Sequence, residues 1–230
     1  MSIGLLNEGP LHQALKARYS VAGARQEVAV AGFVADVLHP DDAIYEIQTS
    51  GFGQLRRKLE RILEHHRVVL VHPIPRVRYI VKLSDEGDRP PRRRRSPKRG
   101  TVAQVAAELV SIPHLLNHRN FELEVLLTEE EEVRRHVPGT AWRRRGWQVV
   151  QRRLCGVLER HRFRCAADLF RLLQTPLEEP FTTVELAASL GEPRWLAQKL
   201  AYCLREAGEI EICGKVRNAL RYRRCRAQPP

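Results

Sequence analysis

The chain has 230 residues, enough for one large domain or two small ones with a substantial core. Its formal net charge of +12 favours a polyanionic partner, and nucleic acid is the expected one. The five cysteines form no C-x-x-C pair, and the sequence holds neither an apolar stretch of about 18 residues nor an apolar signal region at its start. These features argue against a zinc site, a disulfide framework and a membrane protein, and they predict a cytoplasmic protein with reduced thiols.

The first third of the chain predicts the order helix, three strands, helix, strand. Leucines at helical spacing run up to Tyr19, and Pro10 suits the first turn of that helix. After Ser50, apolar residues again recur on one helical face, and a short continuous apolar run then indicates a buried strand. The predicted helices span 5–19 and 50–66, and the predicted strands span 27–32, 33–38, 43–49, 67–71 and 76–83.

Two acids interrupt the apolar strands of this segment. Asp36 lies in the second strand, and Glu46 and Gln48 lie two residues apart in the third, where they should share one face. A carboxylate inside an apolar strand is costly unless it has a partner. Two carboxylates at the ends of neighbouring strands can hold a divalent cation, so Asp36 and Glu46 are candidate metal ligands. Ordinary charges at strand ends are the alternative.

This pattern resembles the PD-(D/E)xK nuclease superfamily. Asp36 matches the acid of the second strand, and Glu46-Ile47-Gln48 matches the E-x-K motif except at its last residue. The resemblance implies an α/β (α+β) protein with a restriction-endonuclease-like αβββαβ core. It also implies that bound Mg²⁺ or Mn²⁺ activates water to hydrolyse a phosphodiester. Glu8 lies where some members carry a further metal-binding acid, or it is only a favourable charge in a first helical turn.

Gln48 departs from the family pattern, in which a lysine helps to position the attacking water. Glutamine can hydrogen-bond that water but brings no positive charge, so electrostatic stabilisation would be weaker. Lys58, one turn after Gln54 on the following helix, is a candidate to supply the charge. The alternative is that Lys58 extends its aliphatic stem along the edge of the helix.

The middle of the chain begins with residues 85–100, which are low in apolar residues and rich in proline and arginine. Residues 85–100 predict an exposed linker whose Arg92–Arg95 and Lys98-Arg99 contact phosphate nonspecifically. Thr101 is expected to cap a helix, and a strand is expected over 121–127. The acidic run 129–132 is expected to begin a solvated helix, and a DNA-mimicking segment that shields a basic surface is the alternative. A long basic helix is predicted over 143–161, followed by a short helix over 166–173. The expected apolar stripe of the long helix is Trp147, Val150, Leu154, Val157 and Leu158.

The last part of the chain, about 181–224, resembles a winged helix-turn-helix. Thr182 or Thr183 would cap the first helix with Glu185 as its capping-box partner, and 194–207 would be the recognition helix. A hairpin over 209–224, divided around Gly214, would form the wing. The candidate DNA-contacting residues are Arg194, Gln198 and Lys199 on the helix and Lys215, Arg217, Asn218, Arg221 and Arg223 in the wing. Leu196, Leu200, Leu204, Tyr202 and Cys203 would face the core. Protein contact is the alternative, because winged helices also mediate it.

The predicted organisation is a nuclease-like core (1–84), a linker (85–100), a connecting region (101–140) and a basic helical region (141–230). The predicted function is that of a metal-dependent DNA-processing nuclease. A catalytically inactive nuclease-fold protein that binds DNA or regulates through its winged helix is the second hypothesis. A third is an interaction protein whose charge serves solubility or RNA contact, and a homodimer or a protein partner stays open.

Overall fold

The computed structural model describes residues 9–83, 92–139, 141 and 145–225. The helices are α1 (Pro10–Tyr19), α2 (Arg56–Ile62), α3 (Ala106–Leu109), α4 (Thr183–Leu190) and α5 (Arg194–Glu206). The strands are β1 (Arg25–Val30), β2 (Phe33–Leu38), β3 (Ile44–Ile47), β4 (Val68–Lys82), β5 (Arg92–Arg95), β6 (Phe121–His136), β7 (Trp147–Phe163), β8 (Ile210–Val216) and β9 (Ala219–Arg224). This is a mixed α+β fold.

One seven-stranded mixed sheet organises the molecule. Its order is β1-β2-β3-β4-β6-β7, and β5 pairs with the far end of β4. The β3–β4 and β4–β6 pairs are parallel, and the other pairs are antiparallel. Because β4 is 15 residues long and pairs with three strands, it connects the segment around Glu46 to the rest of the sheet.

The two faces of the sheet bury different helices. Val69 and Val71 of β4 pack with Leu11 and Leu15 of α1 in one apolar cluster. The alternate β4 residues, Val68 and Leu70, belong to a larger cluster that includes the buried side chains of α2, α3, α4 and α5. Successive strand residues point to opposite faces, so α1 covers one side and the remaining helices cover the other. None of the helices in the described ranges is both long and apolar enough to cross a bilayer.

The predicted order of the first six elements is confirmed. Strand β2 has the predicted bounds, and the helix predicted after Ser50 is a 3₁₀ turn over Phe52–Leu55 that leads into α2. The two strands predicted over 67–71 and 76–83 are instead the single strand β4.

The basic helix predicted over 143–161 is wrong, because Trp147–Phe163 forms strand β7. The register of β7 against β6 skips Val150, Cys155 and Leu158. Each skipped residue is the extra residue of a β-bulge, and each bulge shifts the alternation of the following side chains by one position. Three bulges in one strand spread its apolar residues at spacings that imitate a helix. The segment predicted as a short helix over 166–173 is a 3₁₀ helix over Ala166–Leu172.

The solvated helix predicted to begin at residues 129–132 is also wrong, because these residues continue strand β6. Glu130 and Glu132 are buried, with 1% and 5% of their surface exposed. Arg152 of β7 approaches Glu130 at 2.7 Å, and Arg78 of β4 approaches Glu132 at 3.3 Å. The sheet therefore buries two of the four acids of this run by placing arginines on both neighbouring strands.

The exposed linker predicted over 85–100 is wrong for residues 92–95, and its residues 85–91 lie outside the described residues. Arg92–Arg95 is strand β5, whose residues pair with Tyr79–Lys82 of β4. The chain from β4 onward thus continues the sheet instead of starting a separate module.

The C-terminal elements follow the sequence closely. Thr182 caps α4 and forms the predicted capping box with Glu185, and β8 and β9 form the predicted hairpin. The hairpin turn lies at Arg217-Asn218, three residues after the predicted point. Tyr202 was expected to face the core, yet 40% of its surface is exposed.

A buried acid also fixes β7 and α1 onto the sheet. Glu124 of β6 is fully buried and accepts hydrogen bonds from the Tyr19 hydroxyl of α1 and from Arg162 Nε at 2.6 Å. Arg160 of β7 lies 3.2 Å from the same carboxylate. One side chain therefore joins three elements that are far apart in the sequence.

We expect Glu124→Ala to lower the free energy of unfolding by about 3 kcal/mol, because it leaves two arginines and a hydroxyl without their shared acceptor. Urea denaturation followed by circular dichroism measures this loss. The matched control is Glu159→Ala in the same strand as Arg160, where the glutamate is exposed and should change stability by less than about 0.5 kcal/mol. Equal effects of the two substitutions would contradict the structural role given to Glu124.

Candidate functional site

Strands β2, β3 and β4 bring the two predicted acids together. The β2–β3 pair is antiparallel, with Val37 opposite Tyr45, so Asp36 lies beside the end of β3. The Asp36 carboxylate accepts a hydrogen bond of 2.8 Å from the Ile47 amide. In the opposite direction, the Asp36 amide points at Glu46 Oε2 at 3.5 Å. Both side chains are largely buried, so the acid pair is held by reciprocal contacts with the backbone.

Lys58 reaches the acid pair from α2. Its ammonium group donates a hydrogen bond to Glu46 Oε1, and only 13% of the lysine side chain is exposed. Of the two interpretations of Lys58, the structure therefore shows the side chain directed at the acids. No other cationic side chain in the described ranges lies within salt-bridge distance of Glu46.

The turn between β3 and α2 sets the position of Lys58. Gly51 adopts the left-handed conformation with φ of 74°, which an L side chain rarely adopts. Glu108 of α3 accepts a hydrogen bond of 2.7 Å from the Gly51 amide, and the buried Phe52 anchors the next turn. The direction of α2 is therefore fixed by a side chain 57 residues away.

Gln48 does not contact the acid pair in this arrangement. Its side-chain amide donates to the carbonyl oxygens of Ser50 at 2.5 Å and Gly51 at 3.4 Å. Its own carbonyl oxygen is 2.7 Å from Nδ1 of the buried His72. The described contacts of Gln48 stabilise the turn that leads to α2.

Two residues of α1 at the site were missed by the sequence analysis. His12 Nε2 lies 3.3 Å from Asp36 Oδ2 and 3.0 Å from the Ile47 carbonyl oxygen. Lys16 Nζ lies 3.8 Å from Asp36 Oδ1 and 3.2 Å from Glu27, and Lys16 is almost fully buried. The sequence does place these two residues on one side of α1, because they directly follow the core positions Leu11 and Leu15 and are one helical turn apart.

The carboxylates suit a hard divalent cation only as a partial ligand set. Glu8, the third candidate acid, lies outside the described residues. Among the described residues, no three His, Cys, Asp or Glu side chains are grouped closely enough to hold a metal ion. Mg²⁺ needs fewer than three protein ligands, since it commonly keeps several waters and binds proteins through one or two carboxylates. Asp36 and Glu46 fit that mode of binding, while His12 Nε2 and the Ile47 carbonyl oxygen beside Asp36 are hydrogen-bonded to each other.

The two acids have opposite pKa shifts. Burial raises the pKa of Glu46 to about 7, the negative charge of Asp36 adds to this effect, and Lys58 opposes it. Burial also acts to raise the pKa of Asp36, but hydrogen bonds and charge from His12, the Ile47 amide and Lys58 more than offset it, and the pKa is lowered. The pair therefore combines a strongly ionised acid with one that can hold a proton near neutral pH.

The predicted DNA-contacting residues form a separate surface. Arg194 and Gln198 are exposed on α5, Lys199 is partly exposed, and Lys215 and Arg217 are exposed near the hairpin turn. Arg221 instead donates to the Pro180 carbonyl oxygen at 3.1 Å. The exposed part of α5 also carries Trp195, of which 51% is accessible.

A family model matches residues 9–164 and is described as a domain of unknown function, DUF8091. The chain belongs to the DUF8091 family. The DUF8091 match contains the whole seven-stranded sheet and the acid pair and ends before α4. An uncharacterized protein of Treponema pallidum (strain Nichols) is 35% identical over 187 residues, covering 81% of this chain and 74% of that protein. No solved structure matches the chain significantly.

We expect Asp36→Asn to lower the pKa of Glu46, because the substitution removes a neighbouring negative charge. In the native protein a raised pKa means that folding favours protonated Glu46. The contribution of Glu46 to stability should therefore fall as pH rises from about 4.5 to about 7. Carboxyl NMR titration without metal measures the pKa of Glu46 in the native DUF8091 protein and in the Asp36→Asn variant. Asp42→Asn, an exposed acid paired with His66, should leave the Glu46 titration unchanged.

Proposed function

We propose that this protein is a metal-dependent DNA-processing nuclease with a restriction-endonuclease-like core. The observation that carries the proposal is the convergence of Asp36, Glu46 and Lys58 at the ends of β2, β3 and α2. Metal-dependent hydrolysis of a phosphodiester requires these groups close together: the two carboxylates bind the cation, and the ammonium group stabilises negative charge on the phosphate. The order α1-β1-β2-β3-α2-β4 supports the same fold assignment.

Asp36 and Glu46 would hold Mg²⁺ or Mn²⁺, and Glu8 stays a candidate third ligand. When bound, the cation would supply a water of lowered pKa and polarise the phosphate. His12 orients Asp36 through its 3.3 Å contact, and Lys16 balances the charge of the same acid. Lys58 would exchange Glu46 for a phosphate oxygen and neutralise charge that develops there.

Gln48 and Lys58 have different parts in this proposal. The sequence placed Gln48 at the attacking water, but its amide donates to the turn at Ser50 and Gly51. Lys58 is the lysine that contacts Glu46, so it would perform the electrostatic role that lysine has in the E-x-K motif. Gln48 would act on catalysis only through the position of α2.

We also propose that α4, α5 and the β8–β9 hairpin act as a winged helix that binds DNA. The exposed Arg194 and Gln198 on α5 would face base edges, and Lys215 and Arg217 near the hairpin turn would contact phosphates. Arg221 would support the hairpin through Pro180 instead of reaching DNA.

A second function is favoured by one observation. Asp36 and Glu46 already have cationic neighbours in Lys16 and Lys58, so the acid pair is stable as a charge-balanced structural element. In that case the nuclease-like fold would be a catalytically inactive scaffold that binds DNA or regulates through its winged helix.

Cleavage of linear, branched and supercoiled DNA with Mg²⁺ or Mn²⁺ tests the first function. We expect Asp36→Asn and Glu46→Gln each to lower the rate at least about 100-fold, because each removes a charged ligand. Their matched controls, Asp42→Asn and Glu64→Gln, alter exposed acids and should retain the native rate. Native rates in both site variants would assign any cleavage to a contaminant or to another site, and would contradict the role given to the acid pair. DNA binding by the native protein without cleavage of any substrate would establish the second function.

Substitution of Lys58 and Gln48 separates their two roles. We expect Lys58→Gln to slow cleavage about 100-fold, since it removes the positive charge beside Glu46. Gln48→Ala should slow cleavage less than about 10-fold, because it removes a turn contact and not a group at the reacting atoms. Steady-state rates at saturating DNA measure both. The reverse order of effects would return the water-orienting role to Gln48.

A further inference from the structure

The edge strand β5 and the residues after it carry the densest positive charge of the described chain. Six of the eight residues from Arg92 to Arg99 are arginine or lysine, and none is acidic. The sequence alone predicts a flexible linker for such a segment. The structure instead attaches it to the main sheet.

Backbone hydrogen bonds hold this segment along β4. Strand β5 pairs with Tyr79–Lys82, the Ser96 amide donates to the Arg78 carbonyl at 2.7 Å, and the Gly100 amide donates to the Pro75 carbonyl at 3.0 Å. A Cβ on Gly100 would lie 2.6 Å from the Ile74 side chain, so only glycine permits this close approach. The basic residues are therefore presented at a fixed edge of the sheet.

Four side chains of the segment differ from the arginines of the sheet that are paired with buried glutamates. Arg94, Arg95, Lys98 and Arg99 are exposed, and none has a carboxylate within salt-bridge distance among the residues that the structure describes. In β7, by contrast, Arg152 and Arg162 are paired with buried glutamates of β6. Arg93 is also held internally, by Glu131 at 2.7 Å and by the Tyr79 ring.

We propose that Arg94, Arg95, Lys98 and Arg99, which we name the basic edge strip, bind the sugar–phosphate backbone of double-stranded DNA. Positive charge that no carboxylate of the described residues pairs, held on a fixed edge, is complementary to the closely spaced phosphates of a duplex. Side chains of β5 alternate between its two sides, so the strip offers charge on both sides of the edge. The inference rests on the proposed function and extends it by naming a DNA contact separate from the acid pair and from the residues of α5 proposed to contact DNA.

The length of β4 sets the distance between the strip and the acid pair. Val71 is opposite Ile47 beside the acids, and Tyr79 is opposite Arg95. Eight residues of strand correspond to at most about 26 Å. With a rise of about 3.4 Å per base pair, the end of the strip at Arg95 would contact DNA about eight base pairs from the phosphate at the acid pair. The end at Arg99 lies closer, because Gly100 is hydrogen-bonded to Pro75, and would contact DNA about four base pairs from that phosphate.

Salt-dependent binding of a 30-base-pair duplex, measured by fluorescence anisotropy without divalent metal, tests the strip separately from cleavage. We expect Arg94→Gln/Arg95→Gln to weaken binding about 10-fold and to reduce the slope of log K against log salt by about 1.8. Lys98→Gln/Arg99→Gln, outside the strand, should do the same without altering β5. The control Arg56→Gln/Arg61→Gln removes equal charge from exposed, carboxylate-paired arginines of α2 and should change the slope little.

Native affinity in both strip variants would overturn the proposal. Equal losses of affinity in the strip variants and the α2 control would also overturn it, because binding would then depend only on the net charge of the protein. Absence of DNA binding by the native chain would also overturn it. Strip-dependent binding without cleavage would support the strip and contradict the nuclease function. Cleavage of DNA, together with native affinity in the strip variants, would support the nuclease function and contradict the strip. If DNA is cleaved, the Arg94→Gln/Arg95→Gln variant should lose rate on long duplexes and not on duplexes shorter than about eight base pairs.

Discussion

Buried carboxylates that must each meet a cation are the constraint on which this structure depends. An unpaired carboxylate inside a sheet costs several kcal/mol, and removing one member of a buried pair leaves that cost unrelieved. Glu124, Glu130 and Glu132 of β6 meet this constraint through arginines of β4 and β7. The same requirement therefore fixes which strands are neighbours and in which register they pair.

The candidate site obeys this constraint with cations taken from helices. Lys16 of α1 and Lys58 of α2 approach Asp36 and Glu46 from separate elements. Such a pair is stable by itself, and it also places an ammonium group where a phosphate would need one. Many arginines of the sheet are paired with buried glutamates and are not available to a ligand. Among the described residues, the exposed arginines and lysines without such a partner therefore indicate where an external polyanion would bind.

Part of this protein was determined by local sequence. The first six elements, the α4 capping box and the C-terminal hairpin follow from side-chain periodicity and from turn and cap residues close in the chain. Asp36 and Glu46 were recognised because an acid within an apolar strand requires a partner. Lys58 was recognised as a candidate from its helical position, although periodicity alone left two directions open for its side chain.

Only the tertiary structure decided the rest, because the deciding contacts join distant residues. Strand β7 is stabilised by pairing with β6, and its three bulges conceal the alternation that would have indicated a strand. Residues 92–95 become a strand because β4 extends far enough to pair with them. Gln48 turns to the backbone of its own turn, and His12 joins the acids when α1 packs on the sheet. Local sequence thus fixed the elements with local signals, while burial and pairing chose the partners of the charged residues.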